Sequence, residues 1–136
     1  MSHENVELVR GAFEDFIARK KDFGAGLAHP EVEWDASELA GVLDISPVYR
    51  GPDGVREFWR EWLSAWGAVL IEYELIDAGD KVVALIDQHM RGRSTGIDVP
   101  FGKYAQVYTL RDGLIVHWKI YMHQSDALEA AGARLV

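Results

Sequence analysis

Apolar positions recur along the chain with two distinct periods, and the switch between them separates helices from strands. Val6, Val9, Phe13, Phe16 and Ile17 fall on one face of a helix predicted over residues 4–20, with Ser2 placed to cap it. Residues 22–28 are expected to add a short second helix before Pro30. Glu31-Val32-Glu33-Trp34-Asp35 then alternates polar and apolar, the pattern of a half-buried strand whose apolar side meets the core. Residues 36–50 carry Gly41 and Pro47 and keep no period, so an irregular loop is expected there, placed to form a pocket rim or lid. Gly51-Pro52-Asp53-Gly54 announces the next helix, because proline suits a first turn and an acid there complements the positive end of the dipole. Val55, Phe58, Trp59, Trp62, Leu63 and Trp66 form a broad apolar stripe along it.

Four strands follow at residues 69–77, 81–93, 99–111 and 114–123, all rich in β-branched and aromatic residues. Ala78-Gly79-Asp80 turns the first pair and Asp112-Gly113 the last, so the four form an antiparallel meander. Ser125 is expected to cap a short terminal helix that runs through Ala131 and ends at Gly132. Both long helices must bury their stripes, which predicts an α+β fold with helices against a mostly antiparallel sheet. On the last strand Trp118, Ile120 and Met122 share the face expected to meet the helices. His117, Lys119, Tyr121 and His123 share the other face, toward solvent or a second copy, and a homodimer is expected.

Composition narrows the functional classes. At 136 residues and 49% hydrophobic, with five each of Trp, Tyr and Phe, the chain is expected to form one domain over residues 1–136. With no cysteine, thiolate catalysis and disulfides are excluded. A net charge of −8 with scattered basic residues opposes nucleic-acid binding. No apolar run approaches the ~20 residues of a membrane span, and Met1-Ser2-His3-Glu4 lacks a secretory layout, so a cytoplasmic protein without membrane partners is expected. His3, His29, His89, His117 and His123 show no tight ligand spacing, and Gly51 to Gly54 lacks the lysine of a phosphate loop. Neither a metal nor another cofactor is expected.

The run Tyr49-Arg50-Gly51-Pro52-Asp53-Gly54-Val55-Arg56-Glu57-Phe58-Trp59 resembles SnoaL-like proteins of the nuclear transport factor two-like class. Residues 104–110, Asp112-Gly113-Leu114-Ile115-Val116 and Ala127-Leu128-Glu129-Ala130-Ala131-Gly132 carry the same resemblance, which covers nearly the whole chain. It implies a cone-shaped, curved sheet with helices packed on its concave face around a pocket for a small hydrophobic ligand or substrate. Residues expected to line that pocket are Phe16, Trp34, Trp59, Trp62, Asp87 and Tyr104, with Tyr108, Trp118, Ile120 and Met122 completing it. The family holds isomerases, hydrolases, cyclases and members without known activity, so fold alone does not fix the reaction.

Position by position, the resemblance retains only part of the family's machinery. Ketosteroid-isomerase-like members use an Asp base at the end of the first strand, which Asp35 matches. Their oxyanion-donating tyrosine falls at Phe16, which has no donor, and their protonated Asp falls at Gln106, whose amide still donates. The Arg and Asp pair of limonene-epoxide-hydrolase-like members falls near Asp87 and His89, and their last-strand Asp near Ile120, so that triad is absent.

The residues themselves then offer Asp35 as general base, His89 as acid or base near neutral pH, and Gln106 or Tyr104 as donor to developing negative charge. Burial beside Trp and Phe would raise the Asp35 pKa. Against this, Asp35 suits a capping role for the loop that follows. Strand alternation sends Asp87 and His89 outward while the resemblance sends them inward, and a bulge would reconcile the two. Two classes stay open: a cofactor-independent acid/base enzyme acting on a small hydrophobic compound, and a noncatalytic ligand-binding module.

Overall fold

The computed structural model describes residues 2–19, 25–40, 45–92 and 95–133. Helix α1 spans Ser2–Arg19, and Val6, Val9, Phe13 and Phe16 are buried along it while Ile17 is exposed. The Ser2 side chain and residues 22–24 lie outside the described residues, and Ala25–Leu27 forms one 3-10 turn. Strand β1, Ala28–Asp35, buries Val32 and Trp34 and leaves the alternate residues toward the other face.

The stretch predicted as irregular contains two short elements, helix α2 at Ser37–Ala40 and strand β2 at Val48–Arg50. Four and three residues are too few for a period to register in sequence, so tertiary bonds define them. Ala36 N–H donates to the Pro47 carbonyl at 2.8 Å, and β2 pairs antiparallel with the end of β1. Helix α3, Gly51–Ala65, follows as predicted, burying Val55, Phe58, Trp59 and Trp62. The Leu63 and Trp66 side chains of the predicted stripe lie outside the described residues.

Strands β3 at Trp66–Ala78, β4 at Lys81–Gly92, β5 at Asp98–Arg111 and β6 at Leu114–Tyr121 form the expected meander. The sheet order is β2-β1-β6-β5-β4-β3, and β1 lies parallel to β6 while every other pair is antiparallel. Asp112 and Gly113 both take positive φ, 54° and 79°, as a two-residue hairpin of that composition requires. Register shifts at Trp66/Ala68, Gln88/His89 and Thr109/Leu110 mark bulges, each of which bends a strand and curves the open sheet.

Helices α1 and α3 lie on the concave face, where Trp34 and Trp118 stack across β1 and β6 with ring centroids 3.8 Å apart. Phe58 of α3 meets Trp118 edge-on at 5.6 Å, fixing the helix over that pair. Helix α4, Gln124–Ala131, packs on the opposite face, where Ala127 joins Val83, Leu85, Ala105 and Val107. Its N-cap is His123 without a side-chain cap bond, in place of the predicted Ser125, and Gly132 ends it at φ 69°. Among the described residues no helix is long and apolar enough to cross a membrane.

Candidate functional site

Alternation along β4 decides which side chains reach the concave face. Val82, Ala84, Ile86, Gln88 and Met90 are buried there, although glutamine is costly to bury unless hydrogen-bonded. Its partner comes from β5, where Tyr104, Gln106 and Tyr108 point the same way. The Tyr104 hydroxyl donates to Gln88 Oε1 at 2.6 Å, Gln106 Nε2 reaches the Tyr104 oxygen at 3.5 Å, and the Tyr108 hydroxyl donates to Gln106 Oε1. Four polar side chains thus form one chain across a core of aromatic rings.

A small cavity sits at the Gln88 end of that chain. Gln88, Tyr104, Gln106 and Ile120 form its sheet side. Leu39 of α2 and Phe58, Trp59 and Trp62 of α3 close it. Its volume is about 10 Å³, room for the centre of one water-sized group, so these walls are nearly in contact. Two larger clefts, of about 420 Å³ beside α1 and about 310 Å³ on the outer face near Asp87 and Lys103, open broadly at the surface.

Burial pushes the Tyr104 phenol far up from its ordinary range, with the Gln106 contact acting the other way. Burial likewise raises Tyr108, opposed by the Trp118 indole and reinforced by Tyr104. Both phenols therefore stay protonated near neutral pH and act as hydrogen-bond donors.

The predicted site residues divide into three groups. Trp59, Trp62, Tyr104, Gln106 and Ile120 meet around the cavity. Phe16, Trp34, Tyr108 and Trp118 are buried core behind it, Phe16 resting 5.0 Å from the Trp59 ring, and Met122 is partly buried at the core's edge. Asp35, Asp87 and His89 stand on the outer face. The bulge that could have turned His89 inward lies on β5, where Gln88 pairs with Gly102 and His89 with Pro100. Gly102 takes φ 92° there, so β5 absorbs the extra residue and β4 keeps its alternation. The inward placement expected for Asp87 and His89 is thereby corrected; the His89 side chain is 56% exposed and lies 3.9 Å from Asp87.

Asp35 departs from expectation in a different way. Burial raises its pKa, but the Ser37 hydroxyl at 2.6 Å and Ser37 N–H at 3.0 Å, with Lys119 and His117 nearby, hold it below the ordinary carboxylate range. Its carboxylate forms the turn that starts α2, the capping role set against catalysis above. Glu33 and His117 bring their ligand atoms within 4.8 Å of one another and of Asp35, a grouping able to hold a metal. Lys119 lies 3.9 Å from Asp35 and Arg50 3.4 Å from Glu33, so positive charge is already supplied to that face.

Leu39, Phe58 and Gln88 line the cavity without having been expected there from sequence. Phe58 carried a signal as a member of the α3 stripe, and Gln88 as the one polar member of an otherwise apolar alternation on β4.

A bent open sheet with two helices over its hollow side is the fold of the nuclear transport factor two-like class. Residues 9–118 match the family model of the SnoaL-like domain, and the chain belongs to that family. Its structure is similar to a nuclear transport factor two-like protein of unknown function from Burkholderia pseudomallei, at 19% identity and TM-score 0.75, covering 95% of this chain and 98% of that one. It is similar to TerC co-crystallised with polyporic acid, at 22% identity and TM-score 0.74 over 95% and 98%. A protein with a ketosteroid isomerase-like fold from Catenulispora acidiphila, in complex with trimethylamine, is similar at 12% identity and TM-score 0.65 over 90% and 93%. None of the curated proteins matches the chain.

Proposed function

We propose that this protein holds a small, largely apolar compound on the concave face of its sheet, as a noncatalytic binding module. The observation that carries this reading is the buried row from Gln88 through Tyr104 and Gln106 to Tyr108. Such a row in an aromatic core orients a bound molecule, and plain packing would be served as well by apolar side chains. Two structural neighbours were crystallised with small molecules, which fits a fold that encloses them. The described lining contains no carboxylate or imidazole, and its one phenol, Tyr104, stays protonated, so the lining suits recognition better than proton abstraction.

Equilibrium dialysis against small aromatic compounds tests the reading. Saturable binding without product is expected, weakened by Trp59→Ala and unchanged by Asp35→Asn. Turnover that Asp35→Asn abolishes would show instead an enzyme built on that carboxylate.

Two chains are proposed to pair through the outer face. There Lys119 lies 5.0 Å above the Tyr121 ring, and His117 and Tyr121 are each half-buried within one chain, a polar-aromatic surface that a second copy could cover. Sedimentation should give a dimer mass for the native chain and a monomer mass for Tyr121→Asp. A native monomer at high concentration removes the pairing.

A further inference from the structure

The direction of the hydrogen bonds in the buried row limits what the row can still offer a ligand. Each amide oxygen already accepts from a phenol, Gln88 Oε1 from Tyr104 and Gln106 Oε1 from Tyr108. Tyr104 in turn spends its one proton on Gln88. The bond from Tyr104 is the only one the Gln88 side chain makes among the described residues, so its amide N–H groups remain to be used. Gln88 is 2% exposed and lines the cavity, which places those donors inside it.

We infer that Gln88 is the specificity-determining residue, and that the ligand is a neutral aromatic carbonyl compound whose oxygen enters the cavity to accept from the Gln88 amide. This rests on the proposed binding reading and gives it a substrate class. Three features favour a carbonyl over other groups. The cavity, at about 10 Å³, fits a single terminal atom rather than a ring. A hydroxyl entering it would have to share an amide oxygen that already accepts from a phenol, whereas a carbonyl needs only the Gln88 donors and brings no proton to be placed. A carboxylate would bring a charge with no lysine, arginine or histidine in the described lining to meet it. The ring follows from the walls, since Phe58, Trp59 and Trp62 border the same space and favour stacked or edge-on aromatic contact. Donation from Tyr104 polarises the Gln88 amide and strengthens its N–H groups toward an acceptor.

The test is a matched pair of probes, acetophenone and isopropenylbenzene, which share a shape and differ in a carbonyl against a methylene. Equilibrium dialysis should show native protein binding the ketone ~10-fold more tightly. Gln88→Met, which keeps volume and removes the donors, should bring the ratio to about one by weakening the ketone alone. Should Gln88→Met fail to fold, Gln88→Met with Tyr104→Phe removes both partners of the bond together and gives the same reading. Equal binding of the two probes by native protein overturns the inference, as does a ketone preference that survives Gln88→Met. Failure of both probes to bind native protein overturns the pocket reading itself, a separate outcome from loss of the preference.

Discussion

Asp35 and Gln88 show how strand parity assigns chemistry one side chain at a time. Asp35 reads in sequence as an acid beside Trp34, yet odd positions of β1 face outward, and the carboxylate meets Ser37 and Lys119 instead of rings. Asp35→Ala should therefore cost about 1 kcal/mol through the lost turn bonds, while Asp35→Asn should cost less because the amide oxygen can still accept. The pH dependence has a definite sign. A carboxyl held below its ordinary value in the folded state stabilises the fold above that value, and the benefit fades as pH falls toward the depressed one. Urea unfolding of native protein and Asp35→Ala should thus differ at neutral pH and begin to converge only as pH falls below about 4. A constant gap across that range would contradict the assignment. Gln88 was legible as an anomaly, since a glutamine flanked on its own face by Ile86 and Met90 calls for a partner. That the partner is Tyr104 depends on the register of β4 against β5, which no single strand's pattern contains.

Elements were legible in proportion to their length. The long strands and both long helices carry enough periods to be read, and Asp112-Gly113 marks its hairpin by composition alone. Helix α2 and strand β2 escape because their bonds come from elsewhere: Met122 N–H donates to Glu38 Oε1 at 2.8 Å across 84 positions. Leu39 projects from α2 into the cavity wall, 2% exposed. Leu39→Ala should lower stability by about 2 to 3 kcal/mol and admit ring-sized ligands more readily, read as tighter binding in dialysis. Weaker binding of such ligands would mean that Leu39 contacts them rather than excludes them. The bulge in β5 was also invisible, because it is a relation between strands. Gly102 holds it at φ 92°, and a Cβ there would meet nothing within 4 Å. Gly102→Ala should consequently cost about 1 to 2 kcal/mol from backbone strain alone, measured by urea unfolding. No change in stability would show that β5 tolerates a residue with a side chain at the bulge.

At the scale of the whole molecule, the class of fold followed from two amphipathic helices and a meander, each needing the other's apolar face. The interior space did not follow, because its size is set by how far Trp59, Trp62 and Leu39 lean toward the sheet. In the structure they lean close, so a ring-sized ligand must displace part of that wall. Binding of that kind stabilises the folded state, by about 2.7 kcal/mol when the ligand stands at a hundred times its dissociation constant. A rise in melting temperature with acetophenone concentration is therefore expected, and its absence at saturation would contradict a site confined to the folded form.

The central claim is that ligand occupies the concave side, at Gln88, and not the acidic and histidine-bearing outer face. Nuclear magnetic resonance of the side-chain N–H groups during titration with acetophenone tests it directly. The Gln88 and Gln106 amides and the Trp59 and Trp62 indoles should shift together to saturation while the His89 and His117 imidazoles hold still. Shifts confined to the imidazoles, with the buried amides unmoved, would contradict the account.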